Sequence, residues 1–322
     1  MVFLDIDSGG LASGIGGLQA VLQNIYGKML THVGALIGIG QAIGGFGALW
    51  YIAVRIWRPL VRGTPIDVFS LLRPFAISIL IVLFPQVIGL INGVMEPTVA
   101  GTSALVKDSN KAIEALLAQK QELLSQSKDW EMYTGVNGEG SLDKWEELSG
   151  EADSGMLSGV SNRLKFEMAK ASYGFKNSIK IWLSEILQVL YESAALCLNT
   201  IRTFYLIILA MFGPLVFGLS IYDGFGGLIN QWLRRYLNVF LWLPVANIFG
   251  SLIGEIQQQM IQLDLSQLKE TGQTVFGPTD AAYIIFLILA IAGYFTVPSV
   301  TNYIIQSGGH AIHTLGSRLP KN

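Results

Sequence analysis

His310 and His313 stand three residues apart, close enough to meet on one helix face, and are the nearest this sequence comes to a metal-ligand pair. Zinc takes four ligands, or three and a water, so two histidines without a third ligand do not make a site. Nor do the residues spell out a reaction. There is no Gly-x-x-x-x-Gly-Lys phosphate loop, no His-Glu-x-x-His pair and no Gly-x-Ser-x-Gly nucleophile elbow. Cys197 is the single cysteine, which excludes an internal disulfide and any cysteine-based metal cluster. No cofactor is expected, and the chain reads as a non-enzymatic protein.

The chemistry that remains is electrostatic. Glu185 and Glu192 are seven residues apart and share one helix face. Ionisable residues near a membrane edge face water or protein rather than lipid. The pair is therefore expected to face a central cavity or a neighbouring subunit, or to pair with Lys180 or Arg202. Arg55, Arg58, Arg62 and Arg73 form a second group, with Asp67 the only acid among them. They read as topology determinants and phospholipid anchors, or as a docking site for an acidic cytoplasmic partner or DNA phosphates. Four arginines are too few to define a nucleic-acid site, and a formal net charge of −2 indicates no general basic surface.

These groups must be positioned by helices in lipid. Val33 to Val54 contains no formal charge and ends in Trp50, Tyr51, Arg55, Trp57 and Arg58. At about 1.5 Å per residue the run reaches roughly 33 Å, enough to cross a ~30 Å hydrocarbon core. The aromatic and cationic residues that follow suit a helix leaving a bilayer. Charged residues make up 14% of the chain, against about 25% in soluble domains. The mean hydropathy of +0.48 agrees.

Further apolar runs cover Pro74 to Met95, Thr203 to Ile221, Tyr236 to Gly254 and Ala281 to Tyr303. The sequence thus predicts an all-α polytopic membrane protein of about five transmembrane helices with a central extramembrane helical hairpin. Arginine-rich short loops stay cytoplasmic. That rule places Arg55–Arg73, Arg234–Arg235 and the tail with His310, His313, Arg318 and Lys321 inside, and residues 1–32 outside. The acidic start, with Asp5 and Asp7, gives no expectation of a cleavable signal. Leu18 to Leu30 suits a short amphipathic helix against the outer face.

Residues 33–95 then form the first transmembrane hairpin, 203–303 three more transmembrane helices, and 304–322 the tail. Between them lies the outer hairpin, residues 96–202. Its acids cluster from Asp129 to Asp153 around a tip at Gly135 to Gly140, flanked by helical spacing over Ser103 to Ser127 and Ser158 to Tyr173. Asn177 to Arg202 carries Lys180, Glu185 and Glu192, each costing ~2.5–3.5 kcal/mol at mid-bilayer. It is expected to be an amphipathic helix continuous with the span that begins at Thr203.

Small residues and prolines shape the spans. Gly34, Gly38, Gly40 and Gly44 give the first span a face suited to close packing, within the monomer or between subunits. Pro85, Pro214, Pro244 and Pro298 each remove a helical hydrogen bond. Gly213-Pro214 is the best candidate hinge.

Several of these segments together resemble a known family. They are Pro65-Ile-Asp-Val-Phe-Ser-Leu-Leu-Arg-Pro-Phe75, Arg202-Thr-Phe-Tyr-Leu-Ile-Ile-Leu-Ala-Met-Phe-Gly-Pro214, Trp242-Leu-Pro-Val-Ala-Asn247, Gly293-Tyr-Phe-Thr-Val-Pro-Ser-Val300 and Gln306-Ser-Gly-Gly309. The sequence resembles the TraJ family of conjugative transposons, related to the TrbL-type polytopic components of type IV secretion systems. The resemblance covers nearly the whole chain and is weakest at residues 107–155. It implies a bacterial inner-membrane protein, N-terminus periplasmic and C-terminus cytoplasmic. Such proteins form oligomers with periplasmic stalk components and help a DNA–protein substrate leave the cytoplasm. The energy would come from partner secretion ATPases. A secondary solute carrier remains open, since Gly/Pro-broken spans also build midplane binding sites; no inverted repeat is evident. A purely structural anchor for the outer hairpin is the third reading.

Overall fold

The computed structural model describes residues 21–22, 24–29, 32–134, 139–149, 158–271 and 278–316. Among the described residues every regular element is helical. After a short helical stretch at 24–29 come α1 (Val33–Arg62), α2 (Val68–Val82), α3 (Phe84–Ser125), α4 (Lys128–Tyr133), α5 (Leu142–Ser149), α6 (Ser158–Leu219), α7 (Leu228–Thr271) and α8 (Pro278–Gly316).

Four stretches are long and apolar enough to cross a membrane: Leu36–Arg62, Ile186–Leu219, Leu228–Glu270 and Ile284–Ile305. A fifth exists if α2 and α3 are counted as one bent span. The all-α polytopic architecture read from the sequence is the observed one. Its cause is that lipid offers backbone groups no hydrogen-bond partner, so the chain satisfies them within helices.

The second span, read from the sequence over Pro74 to Met95 with Pro85 inside it, is bent. It breaks at Leu83, and the axis turns by 76°. Pro85 has no N–H to return to the Ile81 carbonyl, which interrupts the ladder at that point. Around the gap Leu83 N still donates to Ile79 O at 2.9 Å and Val87 N to Leu83 O at 3.0 Å. Beyond the bend α3 continues well past Met95, to Ser125. The ambiguous segment Asn177 to Arg202 is helical and continuous with the following span, inside the 62-residue helix α6.

By contact the chain divides into two units. The first comprises Met1–Ser103, Ala194–Asn247 and Tyr294–Asn322. Its centre is aromatic: Phe84 meets Phe217 edge-on at 5.4 Å, and Trp232 stacks on Tyr236 at 5.3 Å. α1 lies tightly on α6 through glycine. A Cβ added at Gly40 would stand 2.6 Å from the Pro214 carbonyl oxygen, and one at Gly218 2.6 Å from the Gly40 oxygen. Only glycine permits that approach.

The second unit comprises Ala104–Ser193 and Ile248–Gly293. Met132, Trp145 and Phe166 form its buried cluster, with Tyr133 and Leu142 packed against it. α4 and α5 are short helices in the acidic region. Ser127 caps α4 by accepting from Trp130 N. Lys120 pairs with Asp264 at 2.5 Å. Of the expected loop tip, residues 135–138 lie outside the described residues, while Gly140 takes φ 68°, the left-handed conformation glycine favours.

The α1–α6 contact gives a direct test. Gly40→Leu is expected to force the helices apart, at a cost of about 1–3 kcal/mol. Gly38→Leu should be neutral, because nothing lies within 4 Å of a Cβ there. Melting of the detergent-purified protein, followed by size-exclusion chromatography after heating, distinguishes the two. Equal melting temperatures for both variants would contradict the packing.

Candidate functional site

Polar groups inside apolar helices are costly unless paired, so they mark where a membrane protein has been shaped for a purpose. The first unit holds a buried set of such groups. Tyr236 of α7 is fully buried and its hydroxyl donates to Asn92 Oδ1 at 2.8 Å. Asn92 Nδ2, from α3, donates to the Tyr26 hydroxyl at 3.0 Å. Tyr26 and Tyr236 hydroxyls are 2.8 Å apart. Because the Tyr236 proton points to Asn92, Tyr26 is the donor in that third bond, and the three side chains close a ring with each hydroxyl both giving and receiving.

Tyr26 lies in the stretch read from sequence as a helix on the outer face. The described part, 24–29, is helical, and Tyr26 engages α3 and α7 from it.

Beside the ring sits Arg202 of α6, only 9% exposed. Its Nε donates to the Phe240 carbonyl at 3.2 Å, and the guanidinium lies 5.0 Å from the centroid of the Phe240 ring. A buried cation is thus held by a backbone carbonyl and an aromatic face, which offset part of its desolvation.

A second feature is an open groove of about 560 Å³ between α6, α7 and α8. Gln231, Arg234, Arg235, Asn238 and Asn302 are among its polar lining residues, and Ile208, Leu209, Val239, Trp242 and Ile305 among its apolar ones. Asn238 organises the polar edge: it donates to Asn302 Oδ1 at 2.9 Å and accepts from Trp242 Nε1 at 3.1 Å.

The residues singled out from sequence are distributed as follows. Gly40 and Gly44 are buried against α6 and its end, while Gly34 and Gly38 are exposed with nothing within 4 Å of a Cβ. Gly213 and Pro214 are both buried, Gly213 under the Phe84 ring and Pro214 under Gly40. Arg55, Arg58 and Arg62 are exposed, with Arg55 5.2 Å from the Tyr51 ring. Arg73 differs from them: its Nη2 donates to Ser220 O at 3.1 Å, just past the end of α6, where the helix dipole favours a cation.

Glu192 is half-buried and accepts from Gln188 Nε2 at 3.0 Å. The side chains of Glu185 and Lys180 lie outside the described residues, as do those of His310 and His313. Arg202, one partner considered for the glutamates, is engaged with Phe240 instead. The sequence reading passed over Tyr26, Asn92, Tyr236, Asn238 and Asn302. The available signal was an asparagine near the end of an otherwise apolar run, as at Asn92, Asn238 and Asn302.

The ring predicts coupling. Tyr236→Phe removes two of the three bonds and strands Asn92 and Tyr26, a loss of about 1–3 kcal/mol. Adding Tyr26→Phe should cost less than the sum of the single variants, as in any coupled pair. Thermal unfolding of the four proteins in detergent measures this, and strict additivity would show that the ring does not act as a unit.

No curated protein matches the chain at a significant level. Residues 13–317 match a family model described as homologues of TraJ from Bacteroides conjugative transposon. The chain therefore belongs to the TraJ family of conjugative transposons, with a role in transfer of such an element.

Proposed function

We propose that this protein is a non-enzymatic subunit of a conjugative type IV secretion apparatus in the bacterial inner membrane. In this reading it helps a DNA–protein substrate cross that membrane, as part of a channel or of the scaffold around it. The observation that carries the reading is the family match over residues 13–317, in a chain with four to five apolar helices of membrane-spanning length.

Other features support it. Exposed Arg55, Arg58 and Arg62 remain available to an acidic face of a cytoplasmic secretion ATPase or to lipid phosphates. Exposed Gly34 and Gly38 leave a small-residue face on α1 for a second copy of the chain. The acidic residues of 129–153 suit the periplasmic side, where stalk components would be met, and the arginine-rich loops suit the cytoplasm. The N-terminus is then periplasmic and the C-terminus cytoplasmic.

A donor whose element lacks the gene should lose conjugative transfer and regain it when the wild-type copy is restored. Normal transfer without the gene would end this reading and turn attention to solute uptake. Orientation is checked separately in a Cys197→Ser background. Glu139→Cys should react with a membrane-impermeant maleimide in spheroplasts, and Arg62→Cys only after lysis. The reverse pattern would invert the topology.

A further inference from the structure

The groove between α6, α7 and α8 has the two-part chemistry of an amphiphile site. At one part stand Arg234 and Arg235, both exposed and, among the described residues, not paired with a carboxylate. Guanidinium groups bind phosphate through forked N–H donors. Seven residues further along α7, roughly 10 Å of helix rise, the wall is Trp242. Val239 stands between them on α7, and Ile208 and Leu209 of α6 line the same groove.

Asn302 adds a donor at the polar edge. Its Oδ1 is taken by Asn238, whose own Oδ1 is taken by Trp242, so this relay leaves Asn302 Nδ2 unclaimed among the described residues. An ester carbonyl or phosphate oxygen is the partner such an amide lacks.

We propose that this groove is a binding site for one anionic phospholipid, with its phosphate between Arg234 and Arg235 and an acyl chain along Ile208, Val239 and Trp242. Three observations favour a lipid over a second protein chain. The groove belongs to helices of membrane-spanning length, so lipid is its ordinary neighbour. Its charge is of one sign and complements a phosphate. Its apolar part continues directly from the cations, as a glycerophospholipid's does from its headgroup. Basic pockets between transmembrane helices on the cytoplasmic side are suited to such headgroups. The site rests on the membrane reading of α6–α8 and borrows from the proposed function only the assignment of leaflet.

The test uses the full-length purified protein and does not read conjugation, so its failure and the failure of the secretion reading are separate results. Native mass spectrometry would follow retention of phosphatidylglycerol against phosphatidylethanolamine. Wild type is expected to prefer phosphatidylglycerol. The R234Q/R235Q protein should lose about fivefold of that preference per arginine, roughly 25-fold in all. R58Q/R62Q, which alters exposed cations elsewhere, should keep it.

A phosphatidylglycerol with a photoreactive acyl chain should crosslink to peptides containing Ile208 or Val239. The proposal is overturned if the two lipids are retained equally. Equal loss of preference in R58Q/R62Q also overturns it, because the attraction would then be diffuse surface charge. So does a change in subunit number in R234Q/R235Q with lipid retention unchanged, because the groove would then be occupied by another copy.

Discussion

Lipid supplies no hydrogen bonds, and this one deficit governs the arrangement of the polar groups in the spans. Each polar side chain placed within a span must find a partner inside the protein. Tyr26, Asn92 and Tyr236 solve the problem by closing on one another, Asn238 by joining Asn302 to Trp242, and Asn247 by donating to Thr102 at 3.1 Å. Tyr222 gives its hydroxyl proton to the Ile43 carbonyl at 3.2 Å. Among the described residues two buried atoms, Asn199 Oδ1 and Gln257 Nε2, have no such partner, each costing about 1–3 kcal/mol. The same deficit explains why Arg202 is not simply buried but held by a carbonyl and an aromatic face.

Packing within the first unit then follows two rules. Where the backbones of α1 and α6 meet, at Gly40 and Gly218, bulk has been removed. Where a helix breaks, bulk has been concentrated. Phe84 follows the bend at Leu83 and is fully buried, covered by Phe217 and Trp232 at 5.4 and 5.6 Å. Trp232 also donates its indole N–H to Leu209 O at 2.8 Å. That carbonyl is one residue before Ala210, whose oxygen Pro214 leaves without its helical donor. Aromatic residues thus fill volume beside both proline-disturbed places, and Trp232 bonds the carbonyl next to the one that Pro214 leaves unserved.

The spans were legible in the sequence because hydropathy integrates over about twenty residues, and local errors average out. The continuity of Asn177–Arg202 with the next span followed from having no room for a turn. What could not be read was partnership. Pro85 announced a disturbance, but nothing local fixed its size of 76°. Gly34 and Gly40 look alike in sequence, yet one is open and the other lies under Pro214. Arg73 looked like one more member of an arginine loop, whereas its carbonyl partner, Ser220, is distant in the chain. Asn92 and Tyr236 carry no periodic signal at all, because a hydrogen-bonded ring is a property of three helical segments and not of any one.

The break at Leu83 also bears on how the chain enters the bilayer. α2 has 15 residues, roughly 22 Å of helix, too short to cross a ~30 Å core alone. It must therefore be inserted together with the start of α3. Phe217 and Trp232, which cover the corner in the finished protein, are synthesised long afterwards. Until they arrive, the corner at Pro85 is without the aromatic side chains that cover it in the finished protein, although the missing N–H that interrupts the ladder is there from the start.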